Sequence, residues 1–304
     1  MFKRFLDLLE DVDVNGVNLS NAATLGKLVD VKKYATTDTI NWYDKTCKRT
    51  ALYRACARGH YEVVKYLLTW PQLKINFASD TGATPFMLAC QEGCVTVVRL
   101  LMAHPRCDIN LADENRITPF SMACRFANHE IIRDLLDDPR VNLGQWDSEK
   151  LTTIDVMIQR GEVDVVKCLL ASHRTPYIDC NHVVRCQHAL GLTSERRDKM
   201  SCLMNDYLQD PQKVKMSLRL EKAYQDYYIP RLYALTILFA DHYLRERLVS
   251  TRVGRFFRLV SRLPVELQAV LCHRAAGSMG DVITAQTAEQ GFQWVVLRFH
   301  VNGF

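Results

Sequence analysis

The sequence has few glycines and prolines, little net charge and no long run of apolar residues. Its 304 residues include 13 glycines and 9 prolines, and the formal net charge is +5. Basic and acidic residues are interspersed, a pattern that does not indicate a nucleic-acid or membrane partner. The most apolar stretch, residues 227–244, contains Pro230, Arg231 and Asp241. We therefore predict a buried helix there rather than a membrane span.

The sequence also lacks the common motifs of catalytic sites. It contains no phosphate-binding loop, no dinucleotide-binding glycine motif, no paired-histidine zinc helix and no nucleophile elbow. No pair of titratable residues can be nominated for catalysis in the C-terminal third, where an enzyme hypothesis would have to be placed. We predict a protein that is not an enzyme and that needs no cofactor.

The cysteines and the N-terminal residues both bear on the compartment. Eleven cysteines are an odd number, and they are spread through apolar helical patterns rather than through short loops. This distribution favours a reducing environment. The first residues, MFKRFLDLLEDVDVNG, place acidic side chains where a signal peptide has an apolar core. We therefore predict a cytoplasmic protein.

A repeat of 34 residues dominates the first half of the chain. Four threonines at this spacing begin the segments TALYRACARGHYEVVKYLL, TPFMLACQEGCVTVVRLLM, TPFSMACRFANHEIIRDLL and TTIDVMIQRGEVDVVKCLL, and they are Thr50, Thr84, Thr118 and Thr152. A degenerate copy, AATLGKLVDVKKYA, occupies residues 22–35. Such a period indicates stacked structural units that bury their apolar faces against their neighbours.

Each segment has the pattern of two short helices joined by a turn. Threonine can cap the first helix, and Pro85 and Pro119 suit its first position. Glycine, as at Gly93, allows the positive φ that ends this helix. Paired valines and leucines form the apolar stripe of the second helix. We predict that its leucines are buried: Leu67, Leu68, Leu100, Leu101, Leu135 and Leu136.

Three cysteines also recur at the 34-residue spacing, each after an alanine of the first helix. They are Cys56, Cys90 and Cys124. A ladder of metal or redox sites is one interpretation. Successive units stand about 10 Å apart, too far for shared coordination. We therefore interpret the three thiols as compact apolar groups of the core.

The segments resemble the ankyrin repeat in Thr84-Pro85, Ala89, Gly93, Val97-Val98 and Leu100-Leu101, with Gly59-His60 matching the Gly-His turn of that family. The resemblance covers residues 20–174. It implies an all-α solenoid of helix–turn–helix repeats with short hairpin loops, which binds other proteins on its concave face. The linkers TWPQLKIN, AHPRCDIN and DDPRVN are similar to those of protist ankyrin arrays.

Three features depart from the ankyrin pattern. Arg54 stands where the family usually has leucine, and Ala127 stands where it has glycine. Met157-Ile158 replace a pair of small residues. The last repeat is therefore the one whose fold the sequence defines least well.

Helical patterning continues after the period ends near His173. We predict an N-terminal helix and degenerate capping repeat over residues 1–43, ankyrin repeats over 44–174, an irregular junction over 175–196 and a C-terminal helical domain over 197–304. The whole chain is predicted to be all-α, because its long apolar patterns have a period near 3.6. The C-terminal part resembles the extension of the same protist proteins.

The predicted junction contains four residues that could bind zinc, in the segment CNHVVRCQH: Cys180, His182, Cys186 and His188. Structural zinc sites usually take their ligand pairs from distinct elements, whereas this cluster is one short run. We predict that no metal binds here.

A second segment suggests an alternative function. LPVELQAVL, residues 263–271, is similar to the opening of an F-box, whose helix docks a ubiquitin-ligase subunit. The alternative is an amphipathic helix started by proline with Glu266 in its first turn. If the F-box interpretation holds, ubiquitin-ligase components are partners and the repeats select the substrate.

The ankyrin resemblance also places the partner-binding residues. One row at 34-residue spacing lies at the ends of the first helices, a second row lies beside it, and further residues lie in the loops. The predicted set is Arg49, Arg58, Gln91, Glu92, Ile117, Arg125, Phe126, Gln159 and Arg160, with Leu151 beside it. Arginine around an exposed aromatic ring is typical of binding hot spots. Solvated helix ends are the alternative.

Overall fold

The computed structural model describes residues 14–172, 174, 178–182, 184, 193–219 and 221. These residues form α-helices in the following order: α1 Val14–Thr24, α2 Leu28–Tyr34, α3 Ala51–Ala57, α4 Tyr61–Leu67, α5 Pro85–Gln91, α6 Val95–Ala103, α7 Pro119–Arg125, α8 His129–Asp137, α9 Thr153–Arg160, α10 Val163–Ala171, α11 Ser194–Gln209 and α12 Pro211–Arg219. Within this described part there is no β-strand, and one isolated antiparallel bridge joins Tyr43 to Thr50. For this described part of the chain, the predicted all-α fold is confirmed.

The described chain divides into two compact units. The first contains residues 14–166, 184 and 193–200, and the second contains the described residues of 167–182 and 201–221. Helices α1 to α10 form five pairs, called repeats one to five below. From the first repeat to the fourth, first helices pack on first helices (α1, α3, α5, α7), and second helices pack on second helices (α2, α4, α6, α8).

Similar local interactions begin and end the first helices of repeats two to five. The hydroxyl of the capping threonine accepts a hydrogen bond from the backbone N–H three residues later, at 3.2 Å from Tyr53 to Thr50 and 3.2 Å from Met87 to Thr84. The turns after α3, α5 and α9 have glycine at φ values of 70°, 73° and 69°. Ala127 takes the same conformation, at φ 52°, after α7. An L-residue is strained there because its Cβ crowds the backbone.

The recurrent cysteines lie in the core, as predicted. The side chains of Cys56, Cys90 and Cys124 have no exposed surface. Burial raises the pKa of the Cys56 and Cys90 thiols well above the ordinary value. Neutral thiols of this kind pack as small apolar groups.

The leucine prediction is wrong at two of its six positions. Leu67, Leu101 and Leu135 are fully buried, and Leu136 nearly so. Leu68 and Leu100 are only half-buried. The Leu-Leu pair of the third repeat is shifted by one residue, so that Leu100 falls at the position of Tyr66 in the second repeat. At this position Tyr66 is half-buried like Leu100, whereas Asp134 and Cys168 are buried, so burial here varies from repeat to repeat.

Hydrogen bonds from asparagine side chains join each linker to the backbone of the next. Asn76 Oδ1 accepts from the backbone N–H of Asp108 at 2.9 Å, and its Nδ2 donates to the carbonyl of Arg106 at 2.9 Å. Asn41 and Asn110 make the same pair of bonds one repeat before and one repeat after. The Ile-Asn motif of the linkers therefore supplies one buried apolar side chain and one bridge to the following repeat.

The first helix of the fifth repeat forms despite its unusual residues. Ile154, Met157 and Ile158 are buried there, and Thr152 and Asp155 form a capping box. In the second unit, Arg219 Nε donates to the carbonyl of Ala171 at 2.8 Å. Leu218 is buried as well.

Several predictions fall on residues outside the described part of the chain. They concern the apolar stretch 227–244, the F-box-like segment 263–271 and most of the C-terminal helical domain. The three boundaries between the four predicted regions stay predictions. Among the described residues, no helix has both the length and the apolar character needed to cross a membrane.

Candidate partner-binding surface

Hairpin loops precede the first helices of repeats two to five and place one residue of each repeat equivalently. In each hairpin, a backbone N–H donates to the carbonyl of the residue before the capping threonine: Asp44 to Arg49 at 3.3 Å, Ser79 to Ala83 at 2.9 Å, Asp113 to Ile117 at 3.0 Å and Asp147 to Leu151 at 3.0 Å. We call the four accepting residues the hairpin row. Arg49 in this row is exposed, and the other three are half-buried.

Backbone bonds also join neighbouring hairpins at their tips. The N–H of Asp80 donates to Cys47 at 3.1 Å, and that of Ser148 donates to Asn115 at 3.1 Å. Between them, Glu114 donates to Thr81 at 3.4 Å. The tips are therefore held at a fixed spacing, which also fixes the spacing of the hairpin row.

The predicted row at the helix ends occupies equivalent positions in four repeats. Arg58, Glu92 and Phe126 are the C-cap residues of α3, α5 and α7, and Arg160 is the last residue of α9. All four are exposed, Phe126 to 53%. We call them the C-cap row. An aromatic ring with this exposure contributes little to the core and offers contact area to another molecule.

The remaining predicted residues make local contacts beside this row. Gln91 Nε2 donates to Glu92 Oε1 at 2.9 Å. An Arg125 guanidinium nitrogen lies 3.7 Å from Asp147 Oδ2, and the Arg49 guanidinium lies 5.7 Å from the ring centroid of Tyr53. Gln159 is exposed next to Arg160. All nine predicted residues thus lie on the hairpins or at the ends of first helices.

A further row, which the sequence prediction missed, lies one helical turn before the C-cap row. It consists of Arg54, Leu88, Met122 and Val156, and all four side chains are half-buried. Each of their N–H groups donates to the carbonyl of the capping threonine. Residues four apart share a helix face, so subtracting four from the C-cap row would have found this one-turn row.

Leu25 is a second residue that the prediction missed. Gly26 has a φ of 71° and ends α1 as Gly59 ends α3. Leu25 is therefore equivalent to Arg58, and its side chain is 63% exposed. The change from a 34-residue to a 33-residue spacing at the first repeat concealed this equivalence. The hairpin row, the one-turn row and the C-cap row together form the hairpin–helix surface.

The charges on this surface are predominantly positive. Arg54 pairs with Asp44 at 3.1 Å, and Arg125 faces Asp147. The positive charges of these two arginines are therefore compensated by nearby aspartates. Arg58 and Arg160 make no side-chain hydrogen bond or ion pair with any described residue, whereas Glu92 is the one acidic member of the C-cap row. Burial raises the pKa of Asp44, but hydrogen bonds from Cys47, Thr46, Arg49 and Arg54 outweigh it and lower that pKa below its ordinary value.

The described residues do not assemble a metal site. Within them no group of three or more histidine, cysteine or acidic side chains converges. His182 Nδ1 lies 2.8 Å from Asp179 Oδ1, and Cys180 is exposed. Cys186 and His188 lie outside the described residues, so the prediction that this segment binds no metal stays a prediction.

Comparison with known families identifies the repeats. Residues 19–113 match the family model for ankyrin repeats, in three copies. No curated protein matched the chain. The matched range ends in the hairpin before α7, but the same threonine caps and positive-φ turns continue through repeats four and five. Repeats one to three are therefore ankyrin repeats, and repeats four and five continue the same all-α solenoid-like arrangement.

Proposed function

We propose that the protein is a non-enzymatic, cytoplasmic scaffold or adaptor that binds another protein on the concave face of its ankyrin stack. Ankyrin repeats are in general protein–protein interaction modules. The observation that carries the proposal is the C-cap row, where an aromatic side chain 53% exposed stands in a series with two arginines that no described residue pairs. Arginine and aromatic residues contribute most to hot spots.

The charge of the surface limits which kinds of partner segment can bind. With Arg54 and Arg125 offset by hairpin aspartates, Arg49, Arg58 and Arg160 outnumber Glu92. Complementary charge steers association and disfavours partners of like charge. The surface therefore favours a partner segment with acidic or aromatic side chains over a cationic one.

The test combines an unbiased interaction screen with the double variant Arg125→Ala, Phe126→Ala. We expect the variant to weaken the main partner by about 2 kcal/mol or more, roughly thirtyfold, because it removes two central contacts. Its melting temperature should stay nearly unchanged, since the Arg125 ion pair is long and partly exposed. Calorimetric titration and thermal unfolding measure the two effects.

The matched control is Glu62→Ala with Lys65→Ala, two exposed residues of the second helix α4. This control should bind the partner normally. Normal binding by the Arg125, Phe126 variant would reject the surface. Early melting combined with normal binding would show that Phe126 serves the core.

A substrate adaptor of a ubiquitin ligase is the second candidate, supported by the LPVELQAVL sequence. Deleting residues 263–276 separates the two candidates. The adaptor function predicts loss of the ligase scaffold while the partner of the repeats is retained. A simple scaffold predicts that neither interaction changes with the deletion.

A further inference from the structure

We propose that the partner segment has acidic side chains at one end and apolar side chains along the rest, and that its acidic end lies on the second repeat. This inference rests on the proposed protein-binding function and specifies the chemistry of the partner. It follows from how two equivalent positions change along the repeats.

The two positions are those of the hairpin row and the one-turn row. In repeats three to five, both positions hold apolar side chains, all half-buried: Ala83 and Leu88, Ile117 and Met122, and Leu151 and Val156. In the second repeat, the same positions hold Arg49 and Arg54. At these two positions the side chains therefore change from apolar in repeats three to five to cationic in repeat two.

The cationic end carries a third guanidinium and is partly preorganised. Arg58 is exposed and follows Arg54 by one helical turn. Arg49 lies over the ring of Tyr53, and Arg54 is held by Asp44 at 3.1 Å while its buried Nε has no hydrogen-bond partner among the residues that the structure describes. Asp44 offsets the charge of Arg54 alone, so Arg49 and Arg58 keep this end positive. Guanidinium groups bind carboxylates through paired hydrogen bonds, which makes aspartate and glutamate the matching side chains.

The apolar part sets the spacing of the partner's side chains. Neighbouring helices stand about 10 Å apart, so the partner must present apolar groups at about that interval. In an extended segment, which rises about 3.3 Å per residue, this means every third residue. In a helix, which rises about 1.5 Å per residue, it means every seventh residue. Leu88, Met122 and Val156 can each receive one such side chain.

The test selects random displayed peptides, long enough to cross four repeats, on the immobilised full chain. We expect the enriched peptides to carry an acidic cluster followed by apolar residues at intervals of three or seven. The most enriched peptide, labelled for fluorescence anisotropy, is then measured with the wild type and with Arg49→Gln, Arg58→Gln. The variant should bind it at least tenfold more weakly, because two charge-assisted hydrogen bonds are lost.

A peptide with its acidic side chains replaced by amides completes a double-mutant cycle between the peptide's acids and the two arginines. It should bind the wild type and the variant equally, because the coupling between acid and arginine is absent in both. The control Lys33→Gln, Lys65→Gln removes two exposed cations of the second helices α2 and α4 and should bind the acidic peptide like the wild type. Unchanged melting temperatures verify that all variants are folded.

Three results would overturn the inference. The first is enrichment of basic peptides or of peptides without acids, the second is equal binding of the acidic peptide by the wild type and the arginine variant, and the third is that no peptide is enriched. If no peptide is enriched while a partner still depends on Arg125 and Phe126, the inference fails and the proposed function stands. If that partner also ignores Arg125 and Phe126, the proposed function fails.

Discussion

The interior of the repeat stack has nearly the same residues in successive repeats, whereas the residues of its hairpin–helix surface differ from one repeat to the next. The interior reuses the same groups: a capping threonine in repeats two to five, an Ala-Cys pair in repeats two to four and a positive-φ turn in all five. The surface places Arg58, Glu92, Phe126 and Arg160 at one and the same position. Each repeat has the same neighbours to pack against, so one packing solution serves all of them. A partner presents different groups along its length, so recognition requires residues that differ.

Truncation of an interior side chain should have the largest effect. We expect Leu101→Ala to lower the free energy of unfolding by about 2 to 5 kcal/mol, because Leu101 is fully buried and the variant leaves a cavity. The adjacent Leu100→Ala is the matched control and should cost less, since Leu100 is half-buried. Urea denaturation of both variants measures the difference.

Hydrogen exchange shows how far the damage spreads. Leu101→Ala should increase amide exchange in α4 and α8 as well as in α6, because α6 packs on both helices. An effect confined to α6, or equal losses for the two leucines, would contradict the corrected register.

A change at the strained turn should have an intermediate effect of opposite sign. Ala127→Gly should stabilise the protein by about 0.5 to 1 kcal/mol, since it removes a left-handed strain of about 1 to 2 kcal/mol and adds an entropic cost of about 0.5 to 1 kcal/mol. Gly93→Ala is the converse variant and should destabilise, because its Cβ would lie 2.9 Å from Asn128 Oδ1. Thermal unfolding of both variants measures these changes in stability. Stabilisation by both variants would refute the argument that these turns favour glycine over alanine.

Asp44 should give a smaller effect that depends on pH. Its pKa is lowered from 3.8 in the folded state, so its stabilising contribution is present above pH 3.8 and is lost as the pH falls through the folded-state pKa. Asp44→Asn should therefore be less stable than the wild type at pH 6, and this gap should narrow below pH 3.8. Denaturation at several pH values measures it. A gap that stays constant to low pH would mean that the carboxylate charge does not contribute.

Removal of metal should have the smallest effect. The His182 ring is held by Asp179, and we predict no bound metal in the CNHVVRCQH segment. The melting temperature in strong chelator should equal that in plain buffer. A large decrease that is restored by zinc would show that these residues bind a metal that stabilises the fold.

The sequence defined the interior better than the surface, for a physical reason. Caps, turns and buried cysteines depend on interactions within one repeat, so a period of 34 residues was enough to locate them. Leu100 was predicted to be buried because it belongs to a Leu-Leu pair, whereas its position in the repeat is that of the half-buried Tyr66. The one-turn row was missed because Leu88 and Met122 are apolar and resemble core residues in sequence, whereas their half-exposure depends on how neighbouring first helices pack.

The asparagine bridges have a consequence for the mechanics of the stack. Asn41, Asn76 and Asn110 each belong to one linker and hold the backbone of the next, so tension applied along the stack would load these bridges in series. Each bridge consists of two short hydrogen bonds at the surface and can break without disturbing the bridge two repeats away. A stack pulled from its ends would therefore yield in steps of one repeat, and it would re-form link by link as the force is released.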